Sequence, residues 1–220
     1  MMNWQNWQPR FAGFLQQQAA DQPGDAAHDA AHVRRVVASA VRLAEIEGAE
    51  MAVVFPAAWL HDCVIVLKDS ALRSQASRMA AETAVTFLRA QQYPPQYLEA
   101  IAHAIAAHSF SAGIAPQTIE AKVVQDADRL DALGAVGMAR TFMVGGALQR
   151  PLYHPSDPFC AARPADDAIS TLDHFYTKLF KLAGTMQTAA GRQEAQRRTA
   201  FMQAFLTQLA GEIGAQDQPA

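Results

Sequence analysis

Apolar residues recur at helical spacing along most of the chain. Trp4, Trp7, Phe11, Phe14 and Leu15 share one face of a helix expected over Trp4 to Ala20, and Asp21-Gln-Pro-Gly24 breaks it. Asp25 is a fitting N-cap for a second helix reaching about Glu47. Its apolar face carries Val33, Val36, Val37, Ala40 and Leu43 or Ala44, and Gly48 ends it. A third helix, about Met51 to Val64, opens with a run that is wholly apolar through Leu60, as expected of a buried helix. A polar segment, Lys68-Asp-Ser-Ala-Leu-Arg-Ser, precedes helices expected near 75–91 and 95–108. Ser109 to Pro116 reads as a loop. Helices near 118–131 and 133–144 follow, with Gly145-Gly146 as the stop. Residues 146–165 hold Pro151, Pro155, Pro158 and Pro164 and read as a long ordered loop of the kind that serves as a lid or partner surface. Helices near 166–187 and 189–213 finish the chain, and the tail from Gln216 is expected to fray. No segment alternates as a strand does, and alanine, the best helix former, is abundant. The pattern predicts an all-α fold.

Composition narrows the function classes. The chain has 220 residues, 50% hydrophobic and 18% charged, enough to build one generous domain with a large core. The net charge of −3 gives no bulk field for nucleic acid, so nucleic-acid binding is not expected. Two cysteines, Cys63 and Cys160, make no disulfide framework. No apolar run approaches the roughly 20 residues of a membrane span, and MMNWQNWQPR carries no apolar signal segment. A cytoplasmic protein is expected.

The residues with chemistry stand out against this helical background. His61-Asp62 closes the apolar run, and a buried carboxylate there demands a cation, a metal or several donors. A metal would satisfy both residues if others joined them. His32 lies in the second helix, and Asp126, Asp128 and Asp131 lie in Gln-Asp-Ala-Asp-Arg-Leu-Asp. On a helix Asp126 and Asp128 point about 200° apart, so only one of the two faces a common ion.

The order His32, His61-Asp62, Asp128 on helices of an all-α chain resembles the HD-domain metal-dependent phosphohydrolase superfamily. The local wording is similar too: His28-Asp-Ala-Ala-His32-Val-Arg-Arg35-Val, Trp59-Leu-His61-Asp62 and Lys122-Val-Val-Gln-Asp-Ala-Asp128-Arg-Leu-Asp. Ala107-His-Ser-Phe-Ser111 and Asp173-His-Phe-Tyr-Thr-Lys178 resemble a compact, single-domain bacterial branch. The resemblance implies an HD-type helical bundle over residues 1–220, with its metal-site core at about 25–145 and a helical extension at about 165–214. It implies His32, His61, Asp62 and Asp128 as metal ligands, with Asp128 rather than Asp126 as the last. This mixed nitrogen and oxygen set suits one divalent ion, Mn, Co, Ni, Fe or Mg, better than a closed structural zinc site. A metal-free buried polar cluster is the plainer alternative.

Around that set the residues divide between roles. Asp62 is also expected to orient the attacking water. His108, at a helix end, is a candidate general acid or substrate contact, with loop stabilisation as the alternative. Arg35, Lys68 and Arg73 are candidates for holding substrate phosphates, against salt bridges and solvated loop as the bland readings. His28 reads first as a surface residue and His103 as structural. His103 and His108 lie about 140° apart on a helix, which fits poorly with one shared ion.

The expected activity is a metal-dependent phosphohydrolase acting on a small phosphorylated metabolite, a nucleotide in first place, with pyrophosphohydrolase favoured over monophosphatase. Two other readings stay open: a di-iron oxygenase of the same fold, drawing further ligands from His103 and His108, and a non-catalytic nucleotide-binding module.

Overall fold

The computed structural model describes residues 4–20, 30–66, 70 and 72–215. The helices are α1 (Trp4–Ala20), α2 (Ala30–Glu47), α3 (Met51–Leu60), α4 (Ala76–Ala90), α5 (Leu98–His108), α6 (Ile119–Leu130), α7 (Gly134–Ala147), the short α8 (Phe180–Leu182) and α9 (Ala189–Glu212). Among the described residues there is no strand, so the fold is all-α. No helix of the described residues is long and apolar enough to cross a membrane. The chain forms two compact units, Met1–Asp128 and Arg129–Ala220.

In the first unit α3 is the buried axis, packed against α2, α5 and α1. Glu50 caps it, its carboxylate accepting from the Ala52 N–H at 2.9 Å. Pro56 sits inside α3 and has no N–H to offer the carbonyl of Ala52. The buried Tyr93 hydroxyl donates to that carbonyl instead, at 2.7 Å. Aromatic rings fasten α1 to this axis: Trp4 meets Phe55 at 5.2 Å, and the fully buried Phe11 lies among Phe55, Trp59 and Phe87. The Gln125 side-chain amide donates to the Ala107 carbonyl at 2.6 Å and ties α6 to α5.

The sequence placed α3 too far along. It ends at Leu60, and His61 to Val64 form turns, which lets Asp62 reach partial exposure while His61 stays buried. The expected cap Asp25 lies outside the described residues.

In the second unit α7 packs on α9. Arg198 donates to the Leu130 carbonyl at 2.6 Å. Two expectations fail here. Gly145-Gly146 does not stop α7, which runs to Ala147. A Cβ on Gly145 would lie 2.3 Å from Thr171 Oγ1, so the glycine permits a close approach inside the helix. The expected helix from 166 to 187 does not form over its first half. Turns cover that stretch, and π-helical Phe175–Leu179 leads into α8. Carboxylates and backbone donors there are taken by local contacts. The Asp173 carboxylate accepts from Arg163 at 2.5 and 2.7 Å, from Ser170 at 2.5 Å and from the Asp166 N–H at 2.7 Å. Asp157 accepts three backbone N–H groups, from Ala161, Ala162 and Arg163.

Candidate metal centre

Three helices and one turn of the first unit converge on a small cluster. His32 comes from the buried face of α2, which it shares with Val33, Val36 and Val37. His61 and Asp62 follow α3 directly, where the buried helix runs out. His108 is the last residue of α5, and Asp128 lies near the end of α6. His61 Nε2 stands 3.4 Å from His32 Nε2, 3.4 Å from Asp62 Oδ2 and 3.9 Å from Asp128 Oδ1. His32 Nε2 stands 3.5 Å from Asp128 Oδ1 and 3.7 Å from Asp62 Oδ2. The other oxygen of Asp62, Oδ1, faces His108 Nε2 at 3.3 Å.

Backbone carbonyls fix which nitrogens face inward. His61 Nδ1 lies 2.8 Å from the Ala58 carbonyl and His108 Nδ1 lies 2.6 Å from the Ile105 carbonyl. A carbonyl only accepts, so each Nδ1 carries a proton, and in the neutral ring Nε2 presents a lone pair to the cluster. Holding an imidazole by its outer nitrogen is how proteins aim the inner one at a metal. The inward atoms are therefore mostly acceptors, a set that needs a positive centre. Without an ion a proton supplies it. Burial pushes the His61 imidazolium down, but the Asp62 and Asp128 carboxylates and the Ala58 carbonyl more than reverse this, taking its pKa up to about 9.

The donor set fits a divalent ion. Donors about 2.1 Å from one ion lie about 3.0 Å apart when adjacent and about 4.2 Å apart when opposite. The separations of His32 and His61 from each other and from Asp62 and Asp128, 3.4 to 3.9 Å, fall in that range. Two overlapping groups meet the distance requirement for a shared ion: His32, His61 and Asp128, and His61, Asp62 and His108. Asp126 is completely buried and belongs to neither group.

The HD domain family matches residues 29–133, the stretch holding every one of these side chains. The chain is 35% identical over 190 residues to the Bacillus subtilis protein YpgQ, covering 84% of each chain. The chain belongs to the HD superfamily. Its fold matches the crystal structure of an HD-superfamily hydrolase from Bacillus thuringiensis, with a TM-score of 0.71, 36% identity and coverage of 95% of this chain and 99% of that one. The crystal structure of YpgQ in complex with ADP matches with a TM-score of 0.69 and 32% identity, over 94% of this chain and 95% of that one. HD domains are metal-dependent, and this HD centre has the side chains to hold an ion.

Arg73 donates to the Val66 carbonyl at 2.9 Å and so braces the chain leaving His61-Asp62. Arg35 is half-buried on α2. Lys68 and His28 lie outside the described residues. His103 Nε2 accepts the Gln117 N–H at 2.9 Å, holding the segment before α6, in line with a structural role.

Sequence reasoning missed a cavity of about 390 Å³ that Asp62 also lines. Its apolar wall includes Ala12 and Leu15 of α1, Val33 of α2 and Trp59 of α3. Gln16, Gln18 and Arg34 add polar groups. The indole Nε1 of Trp59 is buried and has no hydrogen-bond partner. Only the position of Trp59, two residues before His61, hinted at this. Its aromatic neighbours made core packing the natural reading.

Proposed function

We propose that the protein is a metal-dependent phosphohydrolase acting on a nucleotide, and that His32, His61, Asp62 and Asp128 hold one divalent ion of the Mn, Co, Ni, Fe or Mg type. The observation carrying this reading is that the His32 and His61 Nε2 atoms lie within 4 Å of each other and of both the Asp62 and the Asp128 carboxylate. An ion held there supplies Lewis acidity, lowering the pKa of water and neutralising charge that builds on phosphorus.

The chain's own groups do the rest. Asp62 divides its carboxylate, with Oδ2 toward His32 and His61 and Oδ1 toward His108. It orients the attacking water, and His108, whose Nε2 faces Asp62 Oδ1, contacts the substrate on the leaving-group side. Arg73 and Lys68, with Arg35, neutralise phosphate oxygens beyond the ion. A triphosphate brings about four negative charges beside Asp62 and Asp128, which is why several cations around one site favour a substrate with two or more phosphates. The ADP complex of YpgQ supports a nucleotide.

The test is product analysis. The Mn²⁺-loaded protein is incubated with each nucleoside triphosphate and the products are separated. Monophosphate and pyrophosphate are expected. Turnover of monophosphates alone, to nucleoside and phosphate, overturns the pyrophosphohydrolase assignment.

A further inference from the structure

α5 ends at the His-Asp centre, and side chains of two other helices hold that end. Carbonyls in the last turn of a helix lie beyond the reach of its own N–H groups. A left-handed glycine often turns the chain back to meet them, but Ser109 follows His108 in extended backbone. Side chains meet them instead. The Ser77 hydroxyl of α4 donates to the Ala106 carbonyl at 2.9 Å, and the Gln125 amide of α6 donates to the Ala107 carbonyl at 2.6 Å. Ser77 and Gln125 are each only 3% exposed, so water does not compete for either bond. The His108 ring takes the Ile105 carbonyl through Nδ1 at 2.6 Å. Three successive carbonyls are thus bound by three side chains. At the end of this frame stands His108 Nε2, 3.3 Å from Asp62 Oδ1.

The same two helices reach the partners of His108. The thiol of Cys63, next in the chain to Asp62, donates to the Ala80 carbonyl of α4 at 3.3 Å. Asp128 follows Gln125 by three residues on α6. α4 therefore holds the Asp62 turn and the end of α5 together, and α6 holds the end of α5 near Asp128. Gln125 does this at a cost, because its Oε1 is buried with no hydrogen-bond partner. An apolar side chain of the same length would fill the space without that cost. What the amide adds is the bond to Ala107.

We propose that Ser77 and Gln125 are positioning residues that aim His108 at Asp62 and at the substrate, and that they act on turnover only through His108. The turnover half of this rests on the phosphohydrolase reading above, whereas the aim of the ring does not. An error of about 1 Å in placing a group at a reacting centre costs on the order of 100-fold in rate, so a frame of two bonds is enough to matter.

A double-mutant cycle tests the route through His108. Pyrophosphate release from a nucleoside triphosphate is followed with the Mn²⁺-loaded protein. Ser77→Ala and Gln125→Met, which keeps the length and drops the amide, should each lower kcat by about 10- to 100-fold with KM and metal content unchanged. In a His108→Ala background the same substitutions should have no further effect. A loss that recurs in full in that background overturns the proposal. Imidazole ¹⁵N–¹H spectra of the Mg²⁺-loaded protein supply a readout without turnover. The wild type should show His108 as one species protonated at Nδ1. Each variant should shift or double that signal, while His103, held by the Gln117 N–H, keeps its own. A His108 signal unchanged in both variants overturns the proposal. If Gln125→Met fails to fold by circular dichroism, Ser77→Ala decides. Shifted His108 signals in a protein that hydrolyses no nucleotide sink the phosphohydrolase reading and leave the positioning of the ring standing. Hydrolysis with His108 unmoved does the reverse.

Discussion

The two units each gather carboxylates with partners, and they satisfy them differently. In the second unit Asp173 receives four hydrogen bonds at 2.5 to 2.7 Å, two of them from the Arg163 guanidinium. In the first unit the histidine and aspartate atoms of the His-Asp centre stand 3.3 to 3.9 Å apart, beyond ordinary hydrogen-bond length. The facing atoms there are acceptors aimed at a common point, whereas in the loop network donors meet acceptors directly. A closed network of fixed charges holds a fold together. A centre whose spacing matches an ion's coordination sphere is built around something the chain does not itself provide. Residue type alone does not distinguish the two: both are Asp-rich, and both draw on side chains and backbone.

Breaking the open centre should have the larger consequence for function. Asp62→Ala removes the carboxylate that faces His32, His61 and His108. Metal content, measured by elemental analysis, should fall far below one ion per chain. Turnover should drop by more than the roughly 10- to 100-fold that losing an outer partner of a ligand costs. Helical circular dichroism should persist, because Asp62 is partly exposed and lies on a turn after α3. Retained metal at wild-type stoichiometry would show that Asp62 is no ligand.

The closed network should answer in stability. Arg163→Ala leaves Asp173 buried without its main partner, a change that typically costs about 3–5 kcal/mol. Metal content of the folded protein should stay unchanged. The pH dependence separates the two regions further. Burial pushes the Asp173 carboxyl up, but Arg163, Ser170 and the Asp166 N–H together bring it well below the ordinary carboxylate range. A depressed carboxylate contributes stability that is complete above its unfolded pKa of about 3.9 and is lost as pH falls toward the folded value. Denaturant titrations should therefore show acid destabilisation starting below about pH 5, and Arg163→Ala should flatten that slope. His61 in chelator-treated protein runs the opposite way. Its pKa is raised on folding to about 9, so its contribution is full below about 6.5 and disappears as pH rises through 9. A metal-free protein whose stability is flat from pH 6.5 to 9 would contradict that contrast.

These same regions mark where the sequence could be read and where it could not. The ligand candidates were legible because a His-Asp pair at the end of an apolar run is costly unless something binds it, and because His32 and Asp128 follow the HD order. The exit from α3 was not legible. No glycine or proline stands between Leu60 and Val64 to mark where the helix ends. Gly145 was misread as a stop because the sequence gives no sign that Thr171 packs against it. The stretch from 166 to 174 has helix-compatible residues, but Arg163 and local N–H groups capture its carboxylates and hold it in turns. The cavity wall was hidden for a similar reason. Its residues come from α1, α2 and the end of α3, and no spacing in the chain connects Leu15 or Arg34 with Trp59.

The smallest expected effect tests whether the scaffold behind the open centre is as fully satisfied as the closed network. Pro56 removes the donor that the Ala52 carbonyl would have had within α3, and the Tyr93 hydroxyl replaces it from outside the helix at 2.7 Å. Tyr93 is buried, and burial raises the phenol above its ordinary pKa, so the hydroxyl stays protonated and donating across the working range of pH. Tyr93→Phe keeps the ring against Trp7 and deletes only the donor. A buried carbonyl then loses its partner, at a cost of about 1–3 kcal/mol. Chemical denaturation should show that loss as a lower midpoint with an unchanged slope, since the surface exposed on unfolding is the same. Metal content should not change, because His61 is held by the Ala58 carbonyl, which Tyr93 does not touch. If instead the substitution costs nothing, the Ala52 carbonyl has found water. If it releases the metal, the stability of α3 and the geometry of the centre are one property rather than two.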